Sequence, residues 1–414
     1  MNKTIALIGT LDTKGEEIGF LRSLILARGH KVMIADTGIL GKPDLQADIS
    51  RREIASAGGA DIDTLKEKGD EALAQKIMAA GLKKIILSLV ESKKIQGLLA
   101  IGGGQGSVIV SPTLKAIPFG FPKLLVSTKV TQAGARPYIG SKDVLILPSV
   151  ADLAGINCLT RTILTNAAGA ISGMVEIEEP ESEDKPRVVM SMNGTVTGCG
   201  LAVKAMLEKN GYEVLVFHTI GTGGEALEEY VKSNKVIGVI ELGVNEITND
   251  LMGGLASSGP DRLTAAGKRG IPQVVVPGSA DFINFLGPET VPPKYGRRKI
   301  HSHNPQATLI RTNVRDNRLL GKTIADKLNQ SRGPVLVLWP EKGLSTLDSR
   351  GRPFWDPDAD RALLKTLKRY LDTRIPLIES DAYINDPDFA QAVFMAFEKI
   401  GKEIRQKTLN RRQS

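Results

Sequence analysis

The chain has 414 residues, 42% of them hydrophobic, 24% charged and only 4% aromatic, with two cysteines and a formal net charge of +8. That length calls for two cores rather than one, and the composition is that of a globular protein, not a disordered or fibrous one. Cys158 and Cys199 lie in unrelated segments, which argues against a disulfide framework or a thiolate zinc site and for a reducing cytoplasm.

Taken in chain order, the first half repeats one unit: a short β-branched run, a glycine-rich or polar loop, then a helical stretch. Residues 4–9 read as a strand, 16–28 as an amphipathic helix and 31–36 as a second strand. Helical spacing recurs over 64–80 and 82–91, followed by strands at 97–101 and 123–127. The acidic, proline-bearing stretch EIEEPESEDKP (176–186) has no apolar period and reads as a linker. The pattern then restarts, with strands at 187–192, 212–218, 236–242 and 272–278 and helices from Leu201 and near Glu225. Strands alternating with helices predict an α/β chain of two Rossmann-like, doubly wound domains facing each other across a cleft. The expected division is a nucleotide-binding domain over 1–178, a linker over 179–186 and a second domain over 187–414 with a basic tail.

Ligands of such sheets collect beyond the C-terminal ends of the strands, so the loops there hold the candidate residues. In IGGGQGS, glycines 102, 103, 104 and 106 present a run of backbone N–H groups ahead of a helix, a cradle suited to phosphate. Ser107 stands where a dinucleotide fingerprint wants glycine, which disfavours a standard NAD loop. GTLDTKG puts Gly9, Thr10, Asp12, Thr13 and Lys14 at the end of the first strand. There Lys14 would offset phosphate charge and Asp12 would hold Mg²⁺ through water. Asp36 closes the second strand, where an acidic residue receives ribose hydroxyls in nucleotide folds.

In the second half, Asn193 and Thr195 follow one strand and His218 ends another, while Gly221, Gly223 and Gly224 leave room for an anionic group. His301 and His303 fall on one side of an extended segment; the pair suits metal or acid–base chemistry, although spacing fixes no third metal ligand. His218 and His303 are the candidate acid–base pair, with Asn193, Thr195, the three glycines and Asn304 as substrate contacts.

The segments GTLDTKG, IGGGQGS, FHTIGTGGEALEE, GGLASSGPDRLTAAGKRGIPQVVVPGSADFINF and HNPQATLIRTN together resemble the ATP-binding family named for the N-terminal region of a plant tobamovirus-resistance protein, whose bacterial members are mostly grouped as an uncharacterised family. The resemblance covers essentially the whole chain. It implies paired Rossmann-like domains, a homodimer, and Mg-ATP bound by the N-terminal domain. Where that family shows a threonine-rich stretch, this chain has Glu241 to Glu246.

These observations lead to the expectation of an ATP- and Mg²⁺-binding cytoplasmic protein, an enzyme acting on a small acid or sugar-like substrate in the interdomain cleft. The alternatives are a non-catalytic, nucleotide-responsive module and an NAD(P)-dependent oxidoreductase. No membrane run is present, and nucleic acid is not the expected partner, because the basic excess is concentrated in 294–299 and 399–412 and aromatic stacking platforms are few.

Overall fold

A computed structural model describes residues 2–43, 45–178 and 183–413, with the side chains of residues 133, 303 and 402–413 outside the description. The chain divides into two compact units, Met1–Glu181 and Ser182–Ser414, each built on its own sheet.

In the first unit, β1 (Thr4–Gly9), α1 (Leu11–Ala27), β2 (Lys31–Asp36), α2 (Arg51–Ala57), α3 (Ile62–Lys68), α4 (Glu71–Glu91), β3 (Gly97–Gly102), α5 (Gly104–Ala116), β4 (Lys123–Ser127), α6 (Val130–Ala133), α7 (Arg136–Ile139), β5 (Leu145–Pro148) and α8 (Cys158–Glu176) follow one another. The strands lie parallel in the order β2-β1-β3-β4-β5. Residues alternate between the sheet's two faces. Ala6, Ile8, Leu98 and Ala100 pack under α2, α4 and α5, while Ile5, Leu7, Leu99 and Ile101 pack under α1 and α8. Both faces are therefore covered, which is why these strands read as unbroken apolar runs. α1 begins five residues earlier than the sequence pattern suggests, with a kink at Lys14 (φ −130°, ψ 21°), and 71–91 is one continuous helix.

The second unit runs β6 (Arg187–Met192), α9 (Thr197–Lys209), β7 (Glu213–His218), α10 (Thr222–Ser233), β8 (Gly238–Glu241), α11 (Asn245–Met252), α12 (Ala265–Arg269), β9 (Gln273–Val275), β10 (Phe282–Phe285), β11 (Ile300–Asn304), β12 (Ala307–Arg311), α13 (Val314–Asn329), β13 (Val335–Pro340), α14 (Pro357–Tyr370), β14 (Leu377–Ser380) and α15 (Pro387–Gln413). Its main sheet is parallel, in the order β14-β13-β9-β8-β6-β7. Val188, Met190, Ile240, Val274 and Leu336 meet α9 and α15 on one face. A small antiparallel sheet, β10-β12-β11, follows the loop after β9 and was not expected from the sequence. Both units are thus Rossmann-like. Among the described residues no helix is long and apolar enough to cross a membrane.

Helices α2 and α4 cross closely because Gly81 has no side chain: a Cβ there would stand 1.8 Å from the Ile54 carbonyl oxygen. Gly81→Ala is expected to destabilise the first unit by about 1–3 kcal/mol through overpacking, read as a lower urea midpoint with secondary structure retained.

Candidate functional site

The order of the first sheet reverses between β1 and β3, the position at which such sheets open a ligand crevice. Ile8 pairs with Ala100, so the loops after β1 and β3 emerge side by side. Only Gly103 separates β3 from α5. A Cβ on Gly102 would lie 2.9 Å from the Cα of Gly106 and the amide nitrogen of Ser107, so the strand end rests directly on the first turn of the helix. Helices α2, α3, α4 and α8 are capped by Ser50, Asp61, Asp70 and Asn157, whereas α1 and α5 have no side-chain cap. Among the described residues no acceptor meets the N–H groups of Gly104, Gln105 and Gly106. These are the orphan donors of a helix start, carrying its positive end charge.

Ser107 faces inward. Its hydroxyl is fully buried and shares a 2.8 Å hydrogen bond with Ser127, whose oxygen also accepts the Lys129 N–H at 3.1 Å. Ser107 thereby fixes α5 to the end of β4 rather than reaching a ligand. The same link orients Lys129, which the sequence reading missed: its stem passes Gly104, where a Cβ would sit 3.7 Å from Lys129 Cγ. Its Nζ donates to Gln132 at 3.1 Å. The signal was available, since Lys129 stands two residues beyond the end of β4, in the same layer of loops.

At the start of α1, the Thr10 and Thr13 hydroxyls lie 2.7 Å apart, and the Lys14 N–H donates to the Thr10 carbonyl at 2.8 Å. The Lys14 ammonium has no partner among the described residues. The nearby carboxylates are engaged within the protein. Asp36, 2% exposed, accepts from the N–H groups of Leu11 (3.0 Å) and Gly38 (2.8 Å) and from Arg51 Nε (2.7 Å). Asp12 accepts from Leu40 (3.2 Å) and Gly41 (3.1 Å), with the Arg51 guanidinium at 3.8 Å. Asp36 thus closes the α1 start and neutralises a buried arginine, where the sequence suggested a ribose contact. Asp12 pins the loop after β2. Among the described residues no group of three or more His, Cys, Asp or Glu could hold a metal ion.

The second sheet reverses between β6 and β8. Asn193 and Thr195 are at this edge, but both are buried in a hydrogen-bonded network. Asn193 donates to Thr219 and Asn245, each at 3.0 Å, and accepts from the N–H and hydroxyl of Thr195 and from Ser279. Its amide is saturated by protein groups. Gly221 and Gly224 do form an anion cradle, and the anion is Glu246: one carboxylate oxygen accepts their N–H groups at 2.7 and 2.9 Å. A Cβ on Gly224 would fall 2.0 Å from the other oxygen, and one on Gly223 would fall 1.7 Å from the His218 carbonyl. The expected room for an external anion is therefore taken from inside. Glu246 in turn binds Arg262 Nε at 2.7 Å, and the guanidinium also reaches Glu241 and Glu228. Burial raises the carboxyl pKa of Glu246 and Glu228 against the pull of Arg262.

His218 ends β7, the edge strand, and is exposed. His303 belongs to β11, at the far edge of the small sheet, and its side chain lies outside the described residues. The small sheet springs from the end of β9, three strand spacings from β7, or roughly 14 Å. His218 and His303 lie on different sheets of the second unit. Asn304 accepts the Gln306 N–H at 2.8 Å and closes the β11–β12 hairpin. His301 meets the Phe354 ring edge-on, with centroids 6.2 Å apart.

Residues 3–180 match the N-terminal domain, and residues 185–401 the C-terminal domain, of the uncharacterised protein family UPF0261. The chain belongs to the UPF0261 family. A UPF0261 protein of Clostridium tetani is 39% identical over 95% of this chain and 98% of its own length. The ToMV resistance protein Tm-1(GCR237) of Solanum lycopersicum is 33% identical over 96% of this chain but only 56% of its own length. Among solved structures, the Streptomyces sp. SF2575 glycosyltransferase SsfS6 aligns over 67% of this chain and 83% of its own, at 14% identity and a TM-score of 0.21.

This UPF0261 chain buries a second charge cluster at the ends of β9 and β13. Arg311 donates to Asp360 at 2.6 Å and to Asp348 at 3.4 Å. Asp281 accepts from Ser345 at 2.8 Å with one oxygen, and its other oxygen has no partner. Burial, reinforced by the charge of Asp348, pushes Asp281 up to about 7 despite Arg311. A carboxyl raised in the folded state holds its proton where the unfolded chain has released it. Its contribution is full below pH 4 and is lost as pH rises through about 7. Asp281→Asn is expected to remove this loss, gaining on the order of 2 kcal/mol at pH 8 relative to pH 5 against the parent chain in urea titrations. An unchanged pH slope would show that Asp281 is ionised in the fold.

Proposed function

We propose that the N-terminal unit binds ATP, with the phosphates on the first turn of α5. The observation that carries this is the uncapped α5 start at the sheet's switch point, with Lys129 against Gly104 and Lys14 in the start of α1 after the neighbouring strand. Gly103, Gly104 and Gly106 supply open backbone, Gly102 permits the close seat of strand on helix, and Ser107 holds the turn in place. Thr10 and Thr13 add hydroxyls from the neighbouring loop, which Gly9 joins to β1. A bound nucleotide would supply phosphate charge, which amides and ammonium groups recognise without needing a carboxylate. Magnesium enters this reading only as a counterion of the triphosphate. Engagement of Asp36 within the protein counts against an NAD(P) mode, which uses that position for the ribose.

A non-catalytic, nucleotide-responsive module is favoured over an ATP-consuming enzyme by one observation: the second unit's candidate polar groups, Asn193 and the Gly221–Gly224 cradle, are already paired within the protein. An enzyme acting on a small acid or sugar-like substrate is the competing reading, and ADP release during incubation with ATP would decide for it. The homodimer implied by the family resemblance is part of the proposal, and light scattering of the purified chain tests it.

Gly104→Asp separates binding from folding. The Cβ meets only the flexible stem of Lys129, and a carboxylate at a helix start is favourable, so the melting temperature should hold or rise. Calorimetric ATP binding should disappear because the carboxylate occupies the phosphate's place. Lys14→Ala should weaken ATP about tenfold and AMP much less, as expected of one charge-assisted contact to the outer phosphates. Undiminished ATP affinity in folded Gly104→Asp protein would overturn the proposal.

A further inference from the structure

A cavity of about 160 Å³ opens at the C-terminal end of β13, between the loop that follows it and the first turns of α14. Its apolar walls include Trp339, Trp355 and Leu364, and its charged groups are Glu341, Asp360 and Arg361. No sequence motif marks this region, and it belongs to the other unit from the nucleotide site proposed above.

We propose that this cavity binds a small organic ammonium ion, held between the indole rings and the Glu341 carboxylate. Three observations converge on a cation. The chain's two tryptophans both line this one space, and an indole face is the strongest aromatic partner for a positive charge. Glu341 is exposed and its carboxylate has no partner among the described residues, so its charge is available. Among the described residues the one cation on the wall, Arg361, donates to Asp358.

The start of a helix ordinarily favours an anion, but here that preference is already met. Asp356 caps the Ala359 N–H at 3.1 Å, and Asp358 and Asp360 fill the first turn. Asp360 is bonded to Arg311, and burial pushes its carboxyl well above the usual range, so the available negative charge on the wall is that of Glu341. In a chain of net charge +8, this is a locally acidic mouth with aromatic walls. An anionic ligand would meet the Glu341 carboxylate, whereas an ammonium group gains both from it and from the rings.

Because both tryptophans line the cavity, the tryptophan emission of the intact chain reports on it directly. Choline chloride serves as the probe, with its neutral carbon isostere 3,3-dimethylbutan-1-ol and sodium chloride at equal ionic strength as controls. The expected result is a saturable emission change with choline, about tenfold weaker binding of the alcohol, and no saturable change with sodium chloride. Glu341→Gln, at an exposed position, should keep the parent melting temperature and weaken choline about fivefold or more. Trp355→Leu should weaken it as well. No saturable response to choline would overturn the proposal. So would equal affinity for the neutral alcohol, which marks a plain apolar crevice, or parent-like choline binding by folded Glu341→Gln.

Discussion

A helix that starts directly after a parallel strand brings several N–H groups to the sheet edge with no partner of their own, and something must accept them. The two units meet this demand in opposite ways. At α10, Glu246 reaches into the loop and takes the amides of Gly221 and Gly224. A buried carboxylate needs a counter-charge, so Arg262 is drawn into the core, where Glu241 and Glu228 complete its hydrogen bonds. At α5, among the described residues, no carboxylate takes the amides, and Glu71 accepts from the Gln105 side chain instead. The candidate acids near that crevice, Asp12 and Asp36, are turned onto Arg51 and the loop after β2. One cradle is thereby closed from within, and among the described residues the other leaves its donors unpaired.

In the second unit Arg262 gathers Glu228, Glu241 and Glu246, and Arg311 gathers Asp348, Asp360 and nearby Asp281. The first ties β8, α10 and α11 together, and the second ties the small sheet to α14 and to the loops after β9 and β13. Such clusters make the second unit's sheet edge a fixed scaffold more than an open site. Removing one partner from either would strand a charge in the core, which is far costlier than losing a surface pair. The net positive charge of the chain therefore resides elsewhere, largely on exposed lysines and arginines.

The strands of both main sheets up to β9 were legible because each is a short β-branched run bounded by glycine or polar residues. β5 escaped notice, being only Leu145–Pro148 and half-exposed. In the last third of the chain the sequence pattern yields an extended segment around His301 and His303 and a basic tail, with no further strand. Yet Val335–Pro340 is as continuous an apolar run as β1, so β13 was within reach of the same pattern. The glycine signals were informative about backbone and silent about occupants. Gly224 marks an anion cradle, but only the fold reveals that Glu246, 22 residues on, fills it. Likewise Asp36 looked free at the end of β2, since its partner Arg51 stands 15 residues away and on another element. Contacts of this range leave no trace in local spacing. Lys129 needed the register of β4 against β3 to be seen beside Gly104.

The contrast between the two cradles is the centre of this account, and backbone hydrogen exchange reads both at once. With and without ATP, the amides of Gly104, Gln105 and Gly106 should slow on nucleotide addition, while those of Gly221 and Gly224, already bonded to Glu246, should not change. Slowing at Gly221 and Gly224 with Gly104–Gly106 unaffected would place the anion in the second unit and contradict the account.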